Sequence, residues 1–373
     1  MSTNNKINPQ GTRKLPKILI HEHLDCSLRP RTMLELWAEL GFETAKLPFP
    51  KKVLTLWKAA QELKRCKRRC CNAKLIDELE REAATLYQRY LVKFASKSLA
   101  NYIRAIVDHI LPVMQTSLNM VRITEERIQD AAADGVAAFE LRFAPQLHTA
   151  GGLTLDQVME AVIAGIKDAP MPVKLIVCSL RHENVLPHNP VKELVDLAIK
   201  YKEHVGVFDL AADEHAFPGV LPWWAPEAER ARAAGIELTI HLWETEEPTD
   251  ADIEMLERYN LRRLGHGFRG KRQGDRVLEV CPTSNVVTGQ VKSIKDHPIG
   301  KLFRQGKKVT VNTDGTLFTR VDLTAEYLKL SRAFGWGKKE FYAVNLTALN
   351  ASSFSEGVKA RLRAELAQAY LSE

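Results

Sequence analysis

Short runs of apolar and β-branched residues recur along the chain and alternate with stretches of helical periodicity. Such near-continuous apolar runs are typical of strands that are buried on both faces of a parallel sheet. Eight strand–helix units favour a closed (β/α)8 barrel, the TIM barrel of α/β proteins, over an open sheet. The eight predicted strands are Lys17–His23, Ala138–Phe143, Val173–Leu180, Val205–Ala212, Ile236–Leu242, Arg263–His266, Arg276–Cys281 and Lys308–Asn312.

Residues that begin and end helices lie between these runs. Thr154 and Gln157 have the spacing of a capping box, which predicts a helix that begins there. Pro190 and Pro226 lie where helices are expected to begin, and Gly235 lies where one is expected to end. These predicted helix boundaries therefore agree with a chain in which strands and helices alternate.

Two stretches exceed what a minimal barrel needs. Leu34–Val136 separates the first two strands and is too long for one helix, and its periodicity predicts helices at Ala73–Phe94 and Ile123–Ala133. The chain after Asp314 is also mostly helical in pattern. Because no Pro-, Gly- or Ser-rich linker marks a boundary, we expect accessory helices on a single domain of residues 15–373, preceded by a disordered tail at residues 1–14.

The formal net charge of +7 raises the question of an anionic partner. Much of the excess lies in Lys64–Arg69, and no nucleic-acid recognition motif accompanies it. We interpret this stretch as a solvated helix face and expect no nucleic-acid partner. No CxxC pair is present, so we interpret the cysteines as free thiols: Cys26, Cys66, Cys70, Cys71, Cys178 and Cys281.

The hydropathy of the chain bears on its compartment. No apolar run approaches the ~18 residues of a membrane-spanning helix. Residues 1–14 are polar and lack the apolar stretch of a signal peptide. We therefore expect a cytoplasmic protein without a membrane partner.

Two histidines end the first predicted strand, in His21-Glu22-His23. Alternate residues of a strand point to the same side, so His21, His23 and Asp25 are expected to face one interior if the strand continues that far. An HxH pair alone is as typical of packed or exposed histidines as of metal ligands.

Four more titratable residues lie at or just after the ends of later strands: His241, Glu244, His266 and Asp314. In a TIM barrel these ends converge on one mouth, where such enzymes carry their chemistry. Three imidazoles and a carboxylate favour zinc or a similar divalent ion over calcium or magnesium. A solvent-open site of this kind activates water, which leaves Glu244 and His266 for proton transfer, unless they are rim residues without a role.

These residues lie in segments that resemble the adenosine/AMP deaminase family of metal-dependent barrel hydrolases. The resemblance extends from Ile18 to about Tyr327, with its motifs in the family's order. The motifs are His21-Glu22-His23-Leu24-Asp25, Phe139-Glu140-Leu141-Arg142-Phe143, Asp209-Leu210-Ala211-Ala212-Asp213-Glu214, His241-Leu242-Trp243-Glu244, Gly265-His266-Gly267, Cys281-Pro282-Thr283-Ser284-Asn285 and Asn312-Thr313-Asp314.

The resemblance implies a zinc-dependent hydrolase that releases ammonia from adenosine or a modified 6-aminopurine. It implies one zinc ion per chain, held by His21, His23, His241 and Asp314. It also implies that Glu244 donates a proton to the ring nitrogen beside the carbon under attack.

Three further roles follow from the resemblance alone. His266, together with Asp314, is expected to position the activated water. Asp25 is expected to meet a sugar hydroxyl of the nucleoside. The backbone N–H near Ala212 is expected to meet a ring nitrogen of the base. Histidines without a family role, such as His109, His204 and His297, are interpreted as structural or exposed.

Four departures from the family pattern concern the substrate pocket. Cys26 replaces a frequent glycine, Ala212 replaces a glycine beside the base, and Leu242-Trp243 replaces a small Ala-Gly pair. Gly315 stands where the family usually has a second aspartate that contacts the five-membered ring of the purine. A site that loses such a hydrogen bond changes its preference strongly, and Trp243 is expected to add bulk to the pocket. We therefore expect Trp243 and Gly315 to move the substrate away from plain adenosine.

Two alternatives stay open at this point. The first is an amidohydrolase of the same architecture that acts on another aminated heterocycle. The second is a protein that kept the metal and lost turnover, although such a protein would not need Glu244 and His266. His148 and His182, near predicted strand ends, are further candidates for the pocket lining. A nicotinamide-dependent enzyme is disfavoured because no GxGxxG follows the first strand, and a cytidine-deaminase-type site is disfavoured because no PCxxC pair is present.

Overall fold

A computed structural model describes residues 7–65, 73–186, 190–270 and 272–372. The predictions for Cys66, Cys70 and Cys71, and for most of the basic stretch Lys64–Arg69, therefore lie outside the described residues. Within the described ranges, no helix is long and apolar enough to cross a membrane.

Nine parallel strand segments form the centre of the described structure. One sheet has the order β1-β2-β3-β4-β5 and the other has the order β6-β7-β8-β9. The segments are β1 Lys17–His23, β2 Val136–Phe143, β3 Val173–Leu180, β4 Val205–Ala211, β5 Glu237–Leu238, β6 His241–Leu242, β7 Arg263–His266, β8 Val277–Val280 and β9 Val309–Val311.

The segments β5 and β6 are two halves of the predicted fifth strand. The first half pairs with β4, and the Thr239 N–H continues this pairing by donating to the Phe208 carbonyl at 3.0 Å. The second half pairs with β7, where the Gly265 N–H donates to the Ile240 carbonyl at 2.7 Å. One interrupted strand therefore joins the two sheets, and all eight predicted strands are confirmed.

The other junction lies between the first strand and the last. Glu22 forms an isolated parallel bridge with Asp314. The His23 N–H donates to the Asp314 carbonyl at 2.6 Å, and the Asp314 N–H donates to the His21 carbonyl at 3.2 Å. These bonds complete the ring of eight strands, so the fold is the predicted TIM barrel.

Sixteen α-helices surround the strands in the described part of the chain. They are α1 Pro9–Lys14, α2 Pro30–Leu40, α3 Lys51–Arg65, α4 Ala73–Ala95, α5 Leu99–Ala105, α6 Ser117–Ala133, α7 Leu155–Ile166, α8 Pro190–Lys200, α9 Leu221–Ala233, α10 Asp250–Arg258, α11 Pro282–Val287, α12 Ile299–Arg304, α13 Thr316–Thr319, α14 Leu323–Phe334, α15 Lys338–Ala351 and α16 Glu356–Leu371. Short 3-10 turns occupy Leu24–Cys26, Phe42–Thr44, Leu111–Val113, Pro145–His148, Arg181–Val185 and Ile294–Asp296, and a π-helical turn occupies Ile106–Ile110.

Three of the four predicted helix boundaries are confirmed. Thr154 and Gln157 form the capping box of α7, Pro190 begins α8, and Gly235 follows α9 with a φ of +89°, a conformation that favours glycine. The prediction for Pro226 is wrong, because α9 already begins at Leu221 and Pro226 lies inside it. Pro222, at the first turn, occupies the position where proline fits a helix start.

The accessory helices cover both ends of the barrel. At the N-terminal end, α15 packs on β1 and β9, and the Asn345 side chain accepts a hydrogen bond from the Ile18 N–H at 2.7 Å. At the mouth, Gln88 of α4 donates to the Leu317 carbonyl at 3.0 Å, and the Lys97 N–H donates to the Val287 carbonyl at 2.6 Å. These contacts hold the insertion after β1 over the C-terminal ends of the strands.

The predicted tail contains ordered structure. Residues Pro9–Lys14 form α1, whose start is capped by the Asn8 side chain, which accepts a hydrogen bond from the Gly11 N–H at 2.8 Å. Arg13 forms ion pairs with Asp322 at 2.7 Å and with Asp134 at 3.2 Å. For this part of residues 1–14 the expectation of disorder therefore does not hold, because its side chains find partners on the barrel.

Candidate active site

Four histidines meet at the mouth of the barrel. His21 and His23 end β1, His241 begins β6, and His266 ends β7. The ring centroids of His21, His23 and His241 lie between 4.7 and 5.6 Å from one another. His266 lies 5.0 Å from His21 and 5.3 Å from His241 by the same measure. Strand ends that are far apart in the sequence therefore bring these side chains together.

The nitrogens of these rings face a shared carboxylate. Asp314 Oδ1 lies 3.6 Å from His21 Nε2 and 3.6 Å from His23 Nε2. His23 Nε2 lies 3.2 Å from His241 Nε2. The four side chains that were predicted as ligands are thus neighbours. Two overlapping triads have ligand atoms that all lie within 4.8 Å of one another: His21 with His241 and His266, and His21 with Cys281 and Asp314.

Buried carboxylates orient two of the rings. Glu279 Oε2 lies 2.9 Å from His21 Nδ1, and Asp209 Oδ2 lies 3.1 Å from His241 Nδ1. A carboxylate that holds one nitrogen of a ring leaves the other free for a cation. His21 Nε2 is buried and has no hydrogen-bond partner among the described residues. This orphaned nitrogen and the set of imidazoles and carboxylate fit a divalent ion of zinc type.

A layer of arginines beneath the histidines keeps these carboxylates charged. Arg142 binds Asp209 at 2.9 Å and Glu279 at 2.7 Å, and Arg263 binds Glu279 at 2.6 Å. Burial opposes ionisation of Glu279, but the two arginines hold the pKa of its carboxyl well below the usual range. Similarly, His241 and Arg142 lower the pKa of Asp209 against the effect of burial.

The sequence reasoning assigned no role to Glu279, Asp209 or Arg142. A signal for them exists, because each is a charged residue inside an otherwise apolar strand. Buried charges of this kind are paired, so three of them on β2, β4 and β8 predict a polar layer inside the barrel. Nothing in the sequence, however, reveals which of them contacts a histidine.

A second network connects Glu244 with His266. The His297 ring accepts a hydrogen bond from the Ile299 N–H at Nδ1, so its proton is on Nε2, which lies 3.2 Å from Asn285 Oδ1. The Asn285 amide N–H group then faces Glu244 Oε1 at 3.2 Å and His266 Nδ1 at 3.1 Å. His266 consequently carries its proton on Nε2, which lies 3.4 Å from Glu244 Oε2.

The surroundings of Glu244 favour the protonated form of its carboxyl. Burial raises the pKa of its carboxyl well above the usual range, and the negative charge of Asp314 acts in the same direction. Burial lowers the pKa of His266 well below the usual value, so its imidazole is neutral. A carboxylic acid beside a neutral imidazole is suited to donating a proton to a bound ligand.

The backbone at the mouth is strained at four residues that are not glycine. Ala212, Trp243, His266 and Asp314 have φ values of +81°, +59°, +60° and +63°. Such conformations are rare outside glycine and cluster at functional sites. The family resemblance assigns a glycine to the position of Ala212, and its φ of +81° explains why glycine fits there.

A cavity of about 260 Å³ opens beside the histidines. Polar side chains line it on the side of the strand ends, namely His23, Asp25, Asp213, Glu244, His266 and Asp314. Apolar and aromatic side chains of the insertion line the other side, namely Leu99, Tyr102, Ile103, Ile106, Val107 and Leu111. A largely apolar cavity with a few convergent polar groups is typical of a small-molecule site.

The predicted substrate residues divide into two groups. Asp25 and Ala212 line the cavity, whereas Trp243 and Gly315 do not. The Trp243 indole is fully buried and its Nε1–H points to Asp252 of α10 at 3.3 Å, so it adds no bulk to the cavity. The expectation that Trp243 narrows the pocket is wrong, because the indole N–H finds its acceptor outside.

The remaining histidines have different surroundings. His182 lines the cavity, and His148 Nε2 lies 3.9 Å from Asp25 Oδ2. His109 packs within the insertion, where its Nδ1 lies 2.7 Å from the Tyr87 hydroxyl, and His204 is exposed. His297 has more than a packing function, since it orients Asn285.

Three comparisons bear on the identity of this site. The sequence profile described as adenosine deaminase matches residues 76–369. The adenosine deaminase of Clostridium acetobutylicum is 33% identical over 371 residues, which cover 94% of this chain and 97% of that protein.

Solved structures show the same fold. The apo structure of the N6-methyl-AMP deaminase from Arabidopsis thaliana has a TM-score of 0.74 at 24% identity, and covers 98% of this chain and 100% of that one. The adenine deaminase from Arthrobacter aurescens has a TM-score of 0.76 at 21% identity, and covers 96% and 100%. The chain therefore belongs to the adenosine deaminase family, and its reaction is the hydrolytic deamination of an adenosine-like purine.

Proposed function

We propose that this deaminase uses one zinc ion per chain, held by His21, His23, His241 and Asp314. The observation that carries this proposal is the convergence of these four side chains, with His21 Nε2 buried and without a hydrogen-bond partner in the described structure. A divalent ion held there would act as a Lewis acid and make a water molecule a better nucleophile at neutral pH. The proposed ligand set leaves His266 outside it, where His266 lines the cavity beside Glu244.

Residues beside the proposed metal ligands would transfer the protons of the reaction. Water adds to the ring carbon that bears the amino group, the C–N bond breaks, and ammonia leaves with a 6-oxo ring as the other product. Glu244, which is protonated, would give its proton to the ring nitrogen beside that carbon. His266 would orient the attacking water, since Asn285 fixes its ring and its tautomer.

We further propose a neutral nucleoside or free base as the substrate. Among the described residues, the cavity is lined by four carboxylates and by neither lysine nor arginine: Asp25, Asp213, Glu244 and Asp314. A phosphate group on the substrate, away from the proposed metal, would be desolvated beside the charge of Asp25 without a lysine or arginine to pair with it, which is unfavourable. Asp25 would instead accept a hydrogen bond from a sugar hydroxyl, and the backbone near Ala212 would meet the base.

The charge of Asp25 supports this role. Burial would raise the pKa of its carboxyl, but His148, His23 and the Ala144 N–H hold that pKa below the usual value. An ionised carboxylate is an acceptor only, which suits a hydroxyl and repels a phosphate. The substrate preference would therefore follow from the sign of the charge at the cavity wall.

In the experiment, metal is removed from the protein with a chelator and zinc is added back. The protein is then assayed for ammonia release from a panel of amines. We expect zinc to restore activity at one ion per chain, and a nucleoside or base to be used at least ~100-fold better than AMP in kcat/KM. Preference for AMP would contradict the neutral substrate. The panel also includes N6-substituted adenosines, pterins and adenine, because Cys26, Ala212 and Gly315 depart from the family pattern. Adenosine as the best substrate would contradict a shifted preference.

A further inference from the structure

Gly315 and Tyr102 share one space at the edge of the site. A Cβ atom added at Gly315 would collide with the Tyr102 hydroxyl and lie 2.6 Å from the Cβ of Cys26. Tyr102 comes from α5 in the insertion, whereas Gly315 follows Asp314 on the barrel. The Tyr102 hydroxyl therefore blocks the position of the Cβ atom of any larger residue at 315.

The Tyr102 hydroxyl lacks a strong partner in this position. The side chain is 5% exposed, and its oxygen makes no hydrogen bond within the described residues. Its polar neighbour is the Cys26 thiol, which is a weak donor and a weak acceptor. A buried hydroxyl whose polar neighbour is only a thiol is poorly satisfied, so in the wall of a ligand cavity it is available to a stronger partner on the ligand.

Packing holds the phenol where a ligand can meet it. The Tyr102 ring lies against Phe318 with centroids 4.3 Å apart, and both Tyr102 and Cys26 line the cavity together with Asp314 and Glu244. Burial raises the pKa of the phenol well above its usual value, so it stays a neutral donor. A fixed neutral donor matches an unprotonated ring nitrogen.

We propose that the Tyr102 hydroxyl donates a hydrogen bond to the five-membered ring of the bound purine, in place of the aspartate that Gly315 lacks. This inference rests on the proposed function, because it takes the ligand to be a purine beside Glu244. It assigns a specificity role to the insertion, and it explains why a glycine at residue 315 is compatible with purine recognition.

The test compares purine nucleosides with their 7-deaza analogues, in which a C–H group replaces the ring nitrogen. Tyr102→Phe is the variant, and Tyr90→Phe on α4 is the matched control, since Tyr90 belongs to the same insertion but does not line the cavity. We expect wild type and Tyr90→Phe to prefer the nitrogen-containing nucleoside by ~10- to 100-fold in kcat/KM. Tyr102→Phe should lose most of this preference, because the rate with the nitrogen-containing nucleoside falls further than the rate with its 7-deaza analogue.

Calorimetric binding of unsubstituted purine ribonucleoside and its 7-deaza analogue separates this inference from the proposed function. If no amine is deaminated but Tyr102→Phe abolishes a binding preference of the wild type, the function fails and the Tyr102 contact stands. If the amines are deaminated and Tyr102→Phe keeps the full preference, the Tyr102 contact is overturned alone. A wild type that deaminates no amine and binds neither nucleoside overturns both.

A pair of variants tests the shared space directly. Gly315→Asp alone should reduce kcat/KM strongly, because its side chain collides with the phenol. Tyr102→Ala combined with Gly315→Asp should be more active than Gly315→Asp alone, since the space is then free for the carboxyl group. Additive losses in the combined variant, with thermal unfolding like that of the wild type, would overturn the shared-space geometry.

Discussion

The two walls of the cavity are built by different means. The strand-end wall consists of His23, Asp25, Glu244, His266 and Asp314, which are polar and follow β-strands. The insertion wall consists of Leu99, Tyr102, Ile103, Ile106 and Val107, which are mostly apolar and lie on α5 and the π-helical turn.

The difference between the walls lies in what holds them. Buried ion pairs and hydrogen bonds orient the strand-end wall, as between Glu279 and His21 or Asn285 and His266. Apolar packing holds the insertion wall, as between Tyr102 and Phe318. Side chains that carry out chemistry need fixed directions, whereas a surface that selects a ligand needs shape. We therefore expect the reaction to depend on the strand-end wall and much of the substrate selectivity to depend on the insertion wall.

Removal of a proposed metal ligand should have the largest effect. We expect His23→Ala and Asp314→Ala to lose zinc and activity together, with metal affinity reduced on the order of 100-fold or more, since each removes one of four ligands. Metal content and ammonia release are measured on the same samples. His204→Ala, at an exposed histidine, is the control. A metal-free His23→Ala variant with full activity would reject the metal assignment.

Glu244→Gln should keep the zinc and lose turnover by about 1,000-fold, because an amide cannot transfer the proton of a carboxylic acid. The measurements are kcat and bound zinc, and Glu246→Gln, on a half-exposed neighbour, is the control. Near-normal turnover would remove Glu244 from the mechanism.

The pH dependence of the wild type has a definite sign. In the proposed mechanism the acid form of Glu244 is the active one, and burial raises its pKa, so kcat/KM should fall as the pH rises through that raised pKa. On the acid side, burial lowers the pKa of His23 to about 3, so this histidine stays neutral and able to bind metal at mildly acidic pH. A rate that increases with pH across the alkaline limb would be contrary to this assignment.

Glu279→Gln tests whether a buried carboxylate orients a metal ligand beneath the strand-end wall. Loss of the carboxylate at His21 Nδ1 should weaken zinc binding by ~10- to 100-fold, as is usual for groups that orient metal ligands. Glu140→Gln is a matched control, because Glu140 also pairs with Arg263 at 2.8 Å but contacts no histidine within the described part of the chain. Both variants should lose stability, and Glu279→Gln alone should lose metal affinity in a competitive chelator titration.

Ile103→Ala should have the smallest effect, because it changes only the shape of the insertion wall. We expect KM to rise by about three- to tenfold with kcat nearly unchanged, because the lost contact contributes equally to binding of the substrate and of the transition state. Leu118→Ala, at an 82% exposed leucine of the same insertion, is the control. A fall in kcat without a change in KM would show that the insertion wall takes part in the chemistry.

Local patterns in the sequence are sufficient for much of the architecture. Apolar runs of strand length predict all eight strands because a parallel strand is buried on both faces, and the capping pair Thr154 and Gln157 predicts α7 because it acts over three residues. The prediction from Pro226 is wrong because Pro222, one turn earlier, occupies the helix start, and a proline alone does not tell which of the two begins the helix. The proposed ligands could be named because strand ends in a barrel converge.

Tertiary structure alone decided which side chains support the site and which line it. Glu279, Asp209 and His297 contact His21, His241 and Asn285 through distances that no sequence spacing encodes, since the partners lie on different strands and helices. The orientation of Trp243 away from the cavity and of Tyr102 into the space beside Gly315 likewise depends on α10 and α5. The sequence by itself determined the barrel and the chemical types at its mouth, because these follow from local periodicity. The shape of the substrate cavity required the packing of the insertion on the barrel, as between Tyr102 and Phe318 or between Gln88 and Leu317, which are far apart in the sequence.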